Sequence, residues 1–258
     1  MNKGLMNERL VINALHGQRL RDLPDHFRIP IRKMFNISSE DDFVYAKKVS
    51  NFVGCKTDFE LYMYRYYLNI SVKSGRCPSL HQEEFSSFIT FLESLNISKR
   101  TINILKFFHY GDGSKDGTGV KTLRFDVFKE KYAKYFKEAS EELSQDHIVR
   151  AIIYRAIIKG RLEKRQEINY LYYGTAEDGF FLHKSDILKY ASQTGCEKYT
   201  AIHFGPIVYV AKMPSRRAKD GTKVHYAQLV WPDIKIDLLR IKKMAEDDGY
   251  TYEIRRRT

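Results

Sequence analysis

The sequence has few cysteines and no long apolar run, and each absence excludes a class of protein. Its 258 residues contain three cysteines, Cys55, Cys77 and Cys196, and no two of them have Cys-x-x-Cys spacing. We therefore expect neither a zinc site nor a disulfide framework, and reduced thiols in a cytoplasmic protein fit better. No apolar run approaches the roughly 18 residues of a membrane helix, and no secretory signal pattern opens the chain, so we expect neither secretion nor a membrane span.

A nucleotide-binding loop and a repeat architecture are also missing. Segment 111–119 is rich in glycine, but no Gly-Lys-Ser/Thr follows a predicted strand there. It is therefore not a P-loop, and a mobile surface loop is the better interpretation. No internal repeat and no long linker divides the chain. We predict one domain over residues 1–258.

The chain has a large excess of positive charge. Its 44 Lys and Arg residues outnumber 32 Asp and Glu residues, which gives a formal net charge of +12. This balance favours a polyanionic partner, with nucleic acid first and an anionic membrane second. The alternative is that the cations simply solvate the surface. The charge alone does not distinguish DNA from RNA.

Segment 56–73 predicts two consecutive β-strands rich in Tyr, Phe, Ile and Val. Because strand side chains alternate between faces, Ser71 and Lys73 share one face. Asp58 opens the first strand and approaches Lys73 if the two strands pair. A carboxylate that holds a divalent metal beside an ammonium is a minimal phosphodiester-cleaving site. The alternative is a surface hairpin with ordinary charges.

Helices are predicted from apolar periodicity and from capping residues. The first covers 4–15, with Met6, Leu10, Val11 and Leu15 able to face a core. Four further starts are predicted from cap residues: segment 39–42, Ser79 before a helix over 80–95, Ser98 before a helix through Phe108, and Ser144 before a helix over 145–159. Strands are predicted over 168–173, 179–182, 202–212 and 223–230.

The last two predicted strands enclose a basic tip. An Asp-Gly pair at 220–221 is a strong hairpin signal. The basic residues close to this tip are Lys212, Arg216, Arg217, Lys219 and Lys223. Such a tip can enter a DNA groove or clamp phosphates. A solvated charged turn fits the same residues equally well.

In their order along the chain, these segments resemble the type II restriction endonucleases of the PD-(D/E)XK superfamily, in particular the small MspI-like enzymes. The resemblance spans nearly the whole chain, and each motif alone is weak. The features that carry it are Asn7-Glu8 on the first helix, Lys56-Thr57-Asp58, the segment 70–74, the helix pair over 80–108 with the glycine-rich loop after it, and the segment 202–208 before the basic hairpin.

The resemblance implies roles for individual residues. Asp58 looks like the metal-binding aspartate, and Lys73 looks like the lysine that positions or activates the attacking water. Glu8 looks like the helix glutamate near the metal, so the implied metal ligands are Asp58, Glu8 and Val72. Ser71 departs from the pattern, because the superfamily usually has Glu or Asp there and serine is a poor ligand for Mg²⁺. Glu8 or Glu60 is then expected to supply the missing charge.

The expected fold class is α/β, with a restriction-endonuclease-like central mixed β-sheet flanked by helices and a basic C-terminal β-hairpin region. The catalytic core is expected over about 1–110 and DNA recognition over about 111–258. The implied function is Mg²⁺-dependent, sequence-specific cleavage of double-stranded DNA at a short palindromic site, with Arg76 and the hairpin contacting DNA. A monomer or homodimer would act within a restriction-modification system, in which a cognate methyltransferase modifies the same site.

Two alternatives stay open at this point. One is a repair or structure-specific nuclease with the same chemistry and no short recognition sequence. The other is a non-enzymatic DNA-binding protein, such as a phage or plasmid repressor, and Ser71 in place of a carboxylate keeps it open.

Overall fold

The computed structural model describes residues 3–49, 55–75, 79–119, 124–160, 167–194, 201–211 and 225–249. The chain forms two compact units, and each unit is assembled from separate stretches of sequence. The first contains residues 1–76, 153–190 and 235–258, and the second contains residues 77–152 and 191–234.

A six-stranded mixed sheet forms the centre of the first unit. Its strands are β1 (Gln18–Arg19), β2 (Phe43–Lys48), β3 (Phe59–Met63), β4 (Tyr66–Lys73), β6 (Tyr170–Gly174) and β7 (Gly179–His183). They lie in the order β1-β2-β3-β4-β6-β7. Only β4 and β6 pair in parallel among these neighbours. The predicted α/β class, with a mixed sheet flanked by helices, is confirmed.

Helices pack against this sheet and bury its apolar side chains. The helices of the first unit are α1 (Lys3–Leu15), α2 (Asp25–Met34), α8 (Lys184–Tyr190) and α9 (Ile234–Asp247). Val11 and Leu15 of α1 belong to one buried cluster with strand residues such as Val44, Leu61 and Ile70. In β3 and β2, every second side chain enters this core, as strand alternation requires.

The predicted core face of α1 was partly wrong. Val11 and Leu15 are fully buried, but Met6 is 51% exposed and Leu10 is 45% exposed. Residues four apart lie on the same side of a helix, so Val11 and Leu15 form the narrow stripe that packs on the sheet. Met6 and Leu10 follow a different stripe, which faces away from it.

In the part of the second unit that the structure describes, there are a four-stranded antiparallel sheet and five α-helices. The strands are β5 (Ser79–Glu84), β8 (His203–Phe204), β9 (Ile207–Tyr209) and β10 (Tyr226–Val230), in the order β5-β10-β9-β8. The helices are α3 (Phe85–Ser94), α4 (Lys99–Tyr110), α5 (Phe125–Lys131), α6 (Ala133–Leu143) and α7 (Asp146–Ile153). Large aromatic side chains are buried in the core of this unit, among them Phe88, Phe108, Phe136, Phe204 and Trp231.

Two local predictions are confirmed. Segment 56–73 forms the β3–β4 hairpin, with Tyr64 in the left-handed region at φ 54° in its turn. Ser98 caps α4, because its hydroxyl accepts a hydrogen bond from the Thr101 amide at 3.2 Å. Ile102, Leu105 and Phe108, at helical spacing along α4, are buried.

Two predicted helix starts are wrong, and strand pairing explains both. Segment 39–42 leads into strand β2, and the carbonyls of Glu40 and Asp42 accept hydrogen bonds from Arg21 and Leu20. Ser79 opens strand β5, which pairs with β10, so the helix begins only at Phe85. Serine and acidic residues favour helix starts locally, but partners distant in the sequence override this preference.

The prediction that Ser144 caps a helix is also wrong. The predicted helical span exists as α7, which continues as a π-helical turn over Tyr154–Ile158. The hydroxyl of Ser144 instead accepts a hydrogen bond from the Gly205 amide at 2.9 Å. Ser144 therefore connects the end of α6 to the β8–β9 turn.

Candidate active site

The β3–β4 hairpin positions Asp58. Although Asp58 precedes β3, its backbone continues the ladder, because its amide donates to the Ile70 carbonyl at 2.8 Å. Its carbonyl accepts from the Val49 amide at 3.2 Å. These two bonds hold the aspartate side chain beside the end of β4, where Ser71 and Lys73 lie.

The carboxylate of Asp58 is oriented by β4 through one of its oxygens. Oδ2 accepts a hydrogen bond from the Val72 amide at 2.6 Å and another from the Ser71 hydroxyl at 3.0 Å. Across the described ranges, Asp58 Oδ1 makes no hydrogen bond or ion pair. One oxygen of the carboxylate therefore fixes its position, and the other remains for a ligand.

Lys73 completes the cluster. Its ammonium donates to the Ser71 hydroxyl at 3.1 Å and to the Val72 carbonyl at 3.0 Å, and it lies 3.8 Å from Asp58 Oδ2. The side chains of Lys73 and Asp58 are each 20% exposed. Ser71 thus accepts from the lysine and donates to the aspartate, so its hydroxyl links the two charges. The predicted proximity of Asp58, Ser71 and Lys73 is observed.

Glu8 of α1 lies close enough to these charges for them to shift its pKa. Partial burial raises the pKa of the Glu8 carboxyl above its usual range, and the negative charge of Asp58 raises it further. The positive charges of Lys73 and Lys48 oppose this shift. Asn7, its neighbour on the helix, donates to the Gly174 carbonyl at 2.9 Å. This bond ties the start of α1 to the end of β6, which runs parallel to β4.

Glu60 lies on the same strand face as Asp58, but its carboxylate is hydrogen-bonded to a neighbouring tyrosine. Its carboxylate accepts a hydrogen bond from the Tyr62 hydroxyl on the same strand face. Glu60 pairs across the sheet with Lys47 and Asn69. Glu8, the other carboxylate predicted to supply the charge that Ser71 lacks, has its pKa shifted by the charges of both Asp58 and Lys73.

The donor set of the cluster fits a hard divalent cation. Asp58, Glu8 and the Val72 carbonyl offer oxygen atoms, which Mg²⁺ prefers, and Ser71 adds a weaker hydroxyl. A cation between Asp58 and Glu8 would offset the repulsion that raises the Glu8 pKa. Two carboxylates are a small set, and the part of the chain that the structure describes contains no group of three or more His, Cys, Asp or Glu side chains suited to a metal.

A buried amide network fixes the strand that carries Ser71 and Lys73. The Asn69 amide donates to Asn169 Oδ1 at 2.9 Å, and the Asn169 amide donates to the Asn69 carbonyl at 2.8 Å. Asn69 Nδ2 donates to the Glu167 carbonyl at 3.0 Å. The sequence analysis did not single out Asn69 or Asn169, although an asparagine inside a predicted apolar strand is a usable signal of a buried polar contact.

The predicted DNA-contacting residues lie outside the described residues. The strands on either side of the basic tip do pair, since Tyr209 lies opposite Leu229 and Val208 lies opposite Val230. The residues concerned are Arg76, Lys212, Arg216, Arg217, Lys219 and Lys223. Their contact with DNA stays a prediction.

No protein-family model matches the chain, and no curated protein matches it significantly. Within the described ranges, no helix is both long and apolar enough to cross a membrane.

Proposed function

We propose that this chain is a Mg²⁺-dependent endonuclease that hydrolyses phosphodiester bonds, and specifically a type II restriction endonuclease acting on double-stranded DNA. The observation that carries the proposal is the convergence of Asp58, Ser71 and Lys73 within hydrogen-bonding distance, with Glu8 facing them. A carboxylate pair beside one ammonium supplies both a place for a cation and a positive charge for a phosphate.

Lys73 has the central chemical role. Its ammonium carries three N–H donors, and two of them point at Ser71 and the Val72 carbonyl. The remaining donor can contact a phosphate oxygen or the attacking water, and its charge offsets negative charge that develops on the phosphate. A divalent cation held by Asp58, Glu8 and the Val72 carbonyl would supply Lewis-acid stabilisation and lower the pKa of a bound water.

Ser71 acts as a positioning residue in this proposal. Its hydroxyl accepts from Lys73 and donates to Asp58, so it holds both side chains in one arrangement without adding charge. Asp58 and Lys73 nearly cancel each other electrostatically, so Glu8 becomes the principal source of net negative charge for a cation.

The choice of double-stranded DNA as substrate rests on the net charge of +12 and on the co-linear motif order. A basic surface favours the phosphate backbone by releasing its counterions. Recognition of a short palindrome, action as a monomer or homodimer, and a cognate methyltransferase that protects the same site are parts of the same proposal.

Digestion of one sequenced plasmid with Mg²⁺, followed by mapping of the ends, tests the proposal. We expect discrete fragments whose ends share one short sequence, and no cleavage when the cation is chelated. Smears or cuts confined to junctions would indicate a structure-specific nuclease. Tight binding without any cleavage would instead indicate a non-enzymatic DNA-binding protein.

Lys73→Ala should lower the cleavage rate by about 10²–10⁴-fold while leaving folding intact, because it removes the positive charge beside the phosphate. Lys242→Ala is the matched control. The Lys242 ammonium pairs at 2.5 Å with Glu246 of the same helix, α9 of the first unit, and its side chain is 33% exposed. The control should cleave at close to the wild-type rate. Near-normal turnover of folded Lys73→Ala would show that Lys73 has no role in cleavage.

A further inference from the structure

A row of aromatic side chains crosses one face of the first unit's sheet. Tyr45 of β2 lies opposite Tyr62 of β3, and Tyr62 lies opposite Tyr67 of β4. Phe43 lies two residues before Tyr45 and therefore points to the same side. We call Phe43, Tyr45, Tyr62 and Tyr67 the aromatic face. Directly opposed side chains in adjacent strands are about 5 Å apart, so the row is continuous across three strands.

The aromatic face is not part of the core. Phe43 is 44% exposed and Tyr45 is 48% exposed, whereas Val44 between them is fully buried. The rings of Phe43 and Tyr45 are stacked with centroids 6.5 Å apart, and those of Tyr62 and Tyr67 are 5.8 Å apart. Large aromatic side chains that lie exposed beside one another are typical of a binding surface, because an isolated protein would otherwise bury such side chains in its core.

Positive charge accompanies these rings. The guanidinium of Arg19 lies 5.4 Å from the centre of the Phe43 ring. Lys47 follows Tyr45 on the same strand face and is exposed. The one acid between Tyr62 and Asp58, Glu60, has its carboxylate engaged by the Tyr62 hydroxyl. Aromatic rings interleaved with cations match a ligand that has flat π-surfaces and negative phosphates.

The aromatic face leads to the candidate active site. Tyr62 and Asp58 lie four residues apart along one side of the same extended segment, which corresponds to about 13 Å. Tyr67 and Ser71 are likewise four residues apart on β4. A strand of nucleic acid stacked on the tyrosines would therefore extend towards the cluster of Asp58, Ser71 and Lys73.

We propose that the aromatic face binds the bases of an unpaired nucleic-acid strand by stacking. Bases within a duplex have their faces covered by neighbouring base pairs, and only groove edges and phosphates are accessible. Exposed tyrosine rings on a sheet need free base faces, which single strands and locally opened sites provide. This function goes beyond the proposed hydrolysis and does not depend on it, because stacking requires no metal and no catalytic group.

Fluorescence anisotropy with a labelled single-stranded oligothymidine probe, in the presence of a chelator, measures this binding without cleavage. Tyr45→Ala should weaken binding by at least about fivefold, which corresponds to about 1 kcal/mol of lost stacking. Tyr45→Phe should retain the affinity because it keeps the ring. Tyr135→Ala is the matched control, since Tyr135 is 49% exposed but lies on α6 of the second unit.

Three results would overturn the proposal. The first is unchanged single-strand affinity in Tyr45→Ala, provided that its circular dichroism and melting match the wild type. The second is an equal loss for a duplex of the same length, which would indicate phosphate contact alone. The third is loss of a concentration-dependent dimer in Tyr45→Ala without loss of probe affinity, which would assign the face to a second copy of the chain. Phe43→Ala repeats each measurement at a neighbouring ring of the same face.

Discussion

Ser71 carries a neutral hydroxyl between a carboxylate and an ammonium. Because that hydroxyl donates to Asp58 and accepts from Lys73, the pair of charges is held without a third charge beside it. A cation at this place would therefore depend strongly on Glu8. Under the proposed function, Ser71 supplies no negative charge where the resemblance predicts a carboxylate, and that charge would come from Glu8, on a helix about sixty residues earlier in the chain.

Glu8→Gln should change stability in a pH-dependent way. Burial and the charge of Asp58 raise the pKa of Glu8, so the folded protein holds this proton more tightly than the unfolded chain does. The resulting stability is present below the ordinary pKa of 4.5 and is lost as the pH rises through the raised folded value. Glutamine is neutral throughout and does not suffer this loss. The variant should therefore melt higher than the wild type at neutral pH, with a smaller difference at pH 4.

Thermal melting of both proteins across this pH range measures the difference. Glu177→Gln is a control of opposite sign, because a hydrogen bond from Thr175 lowers the pKa of Glu177. That variant should become less stable than the wild type as the pH rises. Under the proposed function, Glu8→Gln should also lose most Mg²⁺-dependent cleavage. A melting difference for Glu8→Gln that is the same at every pH would contradict the electrostatic assignment.

The junction of β4 and β6 holds the site-bearing strand in register. Beside the paired asparagines, Glu167 accepts from the Tyr154 hydroxyl at 2.6 Å and from the Lys184 ammonium at 2.6 Å. The first of these bonds raises the pKa of Tyr154 to about 12. The network joins β4 to two other segments of the unit, so its loss should affect folding more than chemistry.

Asn169→Ala should destabilise the protein by about 1–3 kcal/mol, because the buried Asn69 amide would lose its acceptor. Asn169 is 1% exposed. Urea unfolding with Asn13→Ala, an exposed asparagine on α1, as control measures the difference. The control should stay within about 0.5 kcal/mol of the wild type. Equal midpoints and slopes for the two variants would show that the asparagine pair contributes nothing to stability.

Elements with local patterns were predictable from the sequence, and elements that depend on distant partners were not. The β3–β4 hairpin follows from period-two alternation, and the buried face of α4 follows from helical spacing. Strand β5 was missed because Ser79 has a good local capping signal, while β10 is far away in the sequence. Helix α9 was also missed, although Ile234, Leu238, Ile241 and Ala245 are buried at helical spacing.

The candidate site shows the same division. The proximity of Asp58 and Lys73 could be predicted, because both lie on paired strands of one short hairpin. The position of Glu8 near Asp58 was expected only from the resemblance to a known superfamily, because no sequence periodicity relates α1 to β4. The hydrogen bond from the Val72 amide to Asp58 was not predictable, since backbone groups carry no sequence signal.

The whole molecule carries a net charge of +12, which should make any nucleic-acid binding strongly dependent on salt. The basic tip contributes part of that charge at Arg216 and Arg217. If either arginine reads a guanine, its replacement by alanine should cost about 1–3 kcal/mol at one base position. If both contact phosphate, binding should weaken for every sequence, and the salt slope should fall by about one unit for each.

Binding measured against salt concentration and single-base site variants separates these outcomes. Arg100→Ala serves as control, because Arg100 is exposed and its guanidinium already pairs with Glu138 at 2.8 Å. If Arg216→Ala and Arg217→Ala change neither the salt dependence nor the base preference of binding, the basic tip does not contact DNA.

The parallel pairing of β4 with β6 has a consequence for biosynthesis. Asn69 and Asn169 are 100 residues apart, whereas Asp58 and Val72 are 14 apart. During translation the hairpin, with the cluster of Asp58, Ser71 and Lys73, can therefore form early, while one edge of β4 stays unpaired until β6 has been synthesised. Non-local strand pairing is slow, and an unpaired strand edge invites aggregation. The nascent chain should be most vulnerable between the emergence of β4 and that of β6, so ribosome pausing there would lower the yield of folded protein.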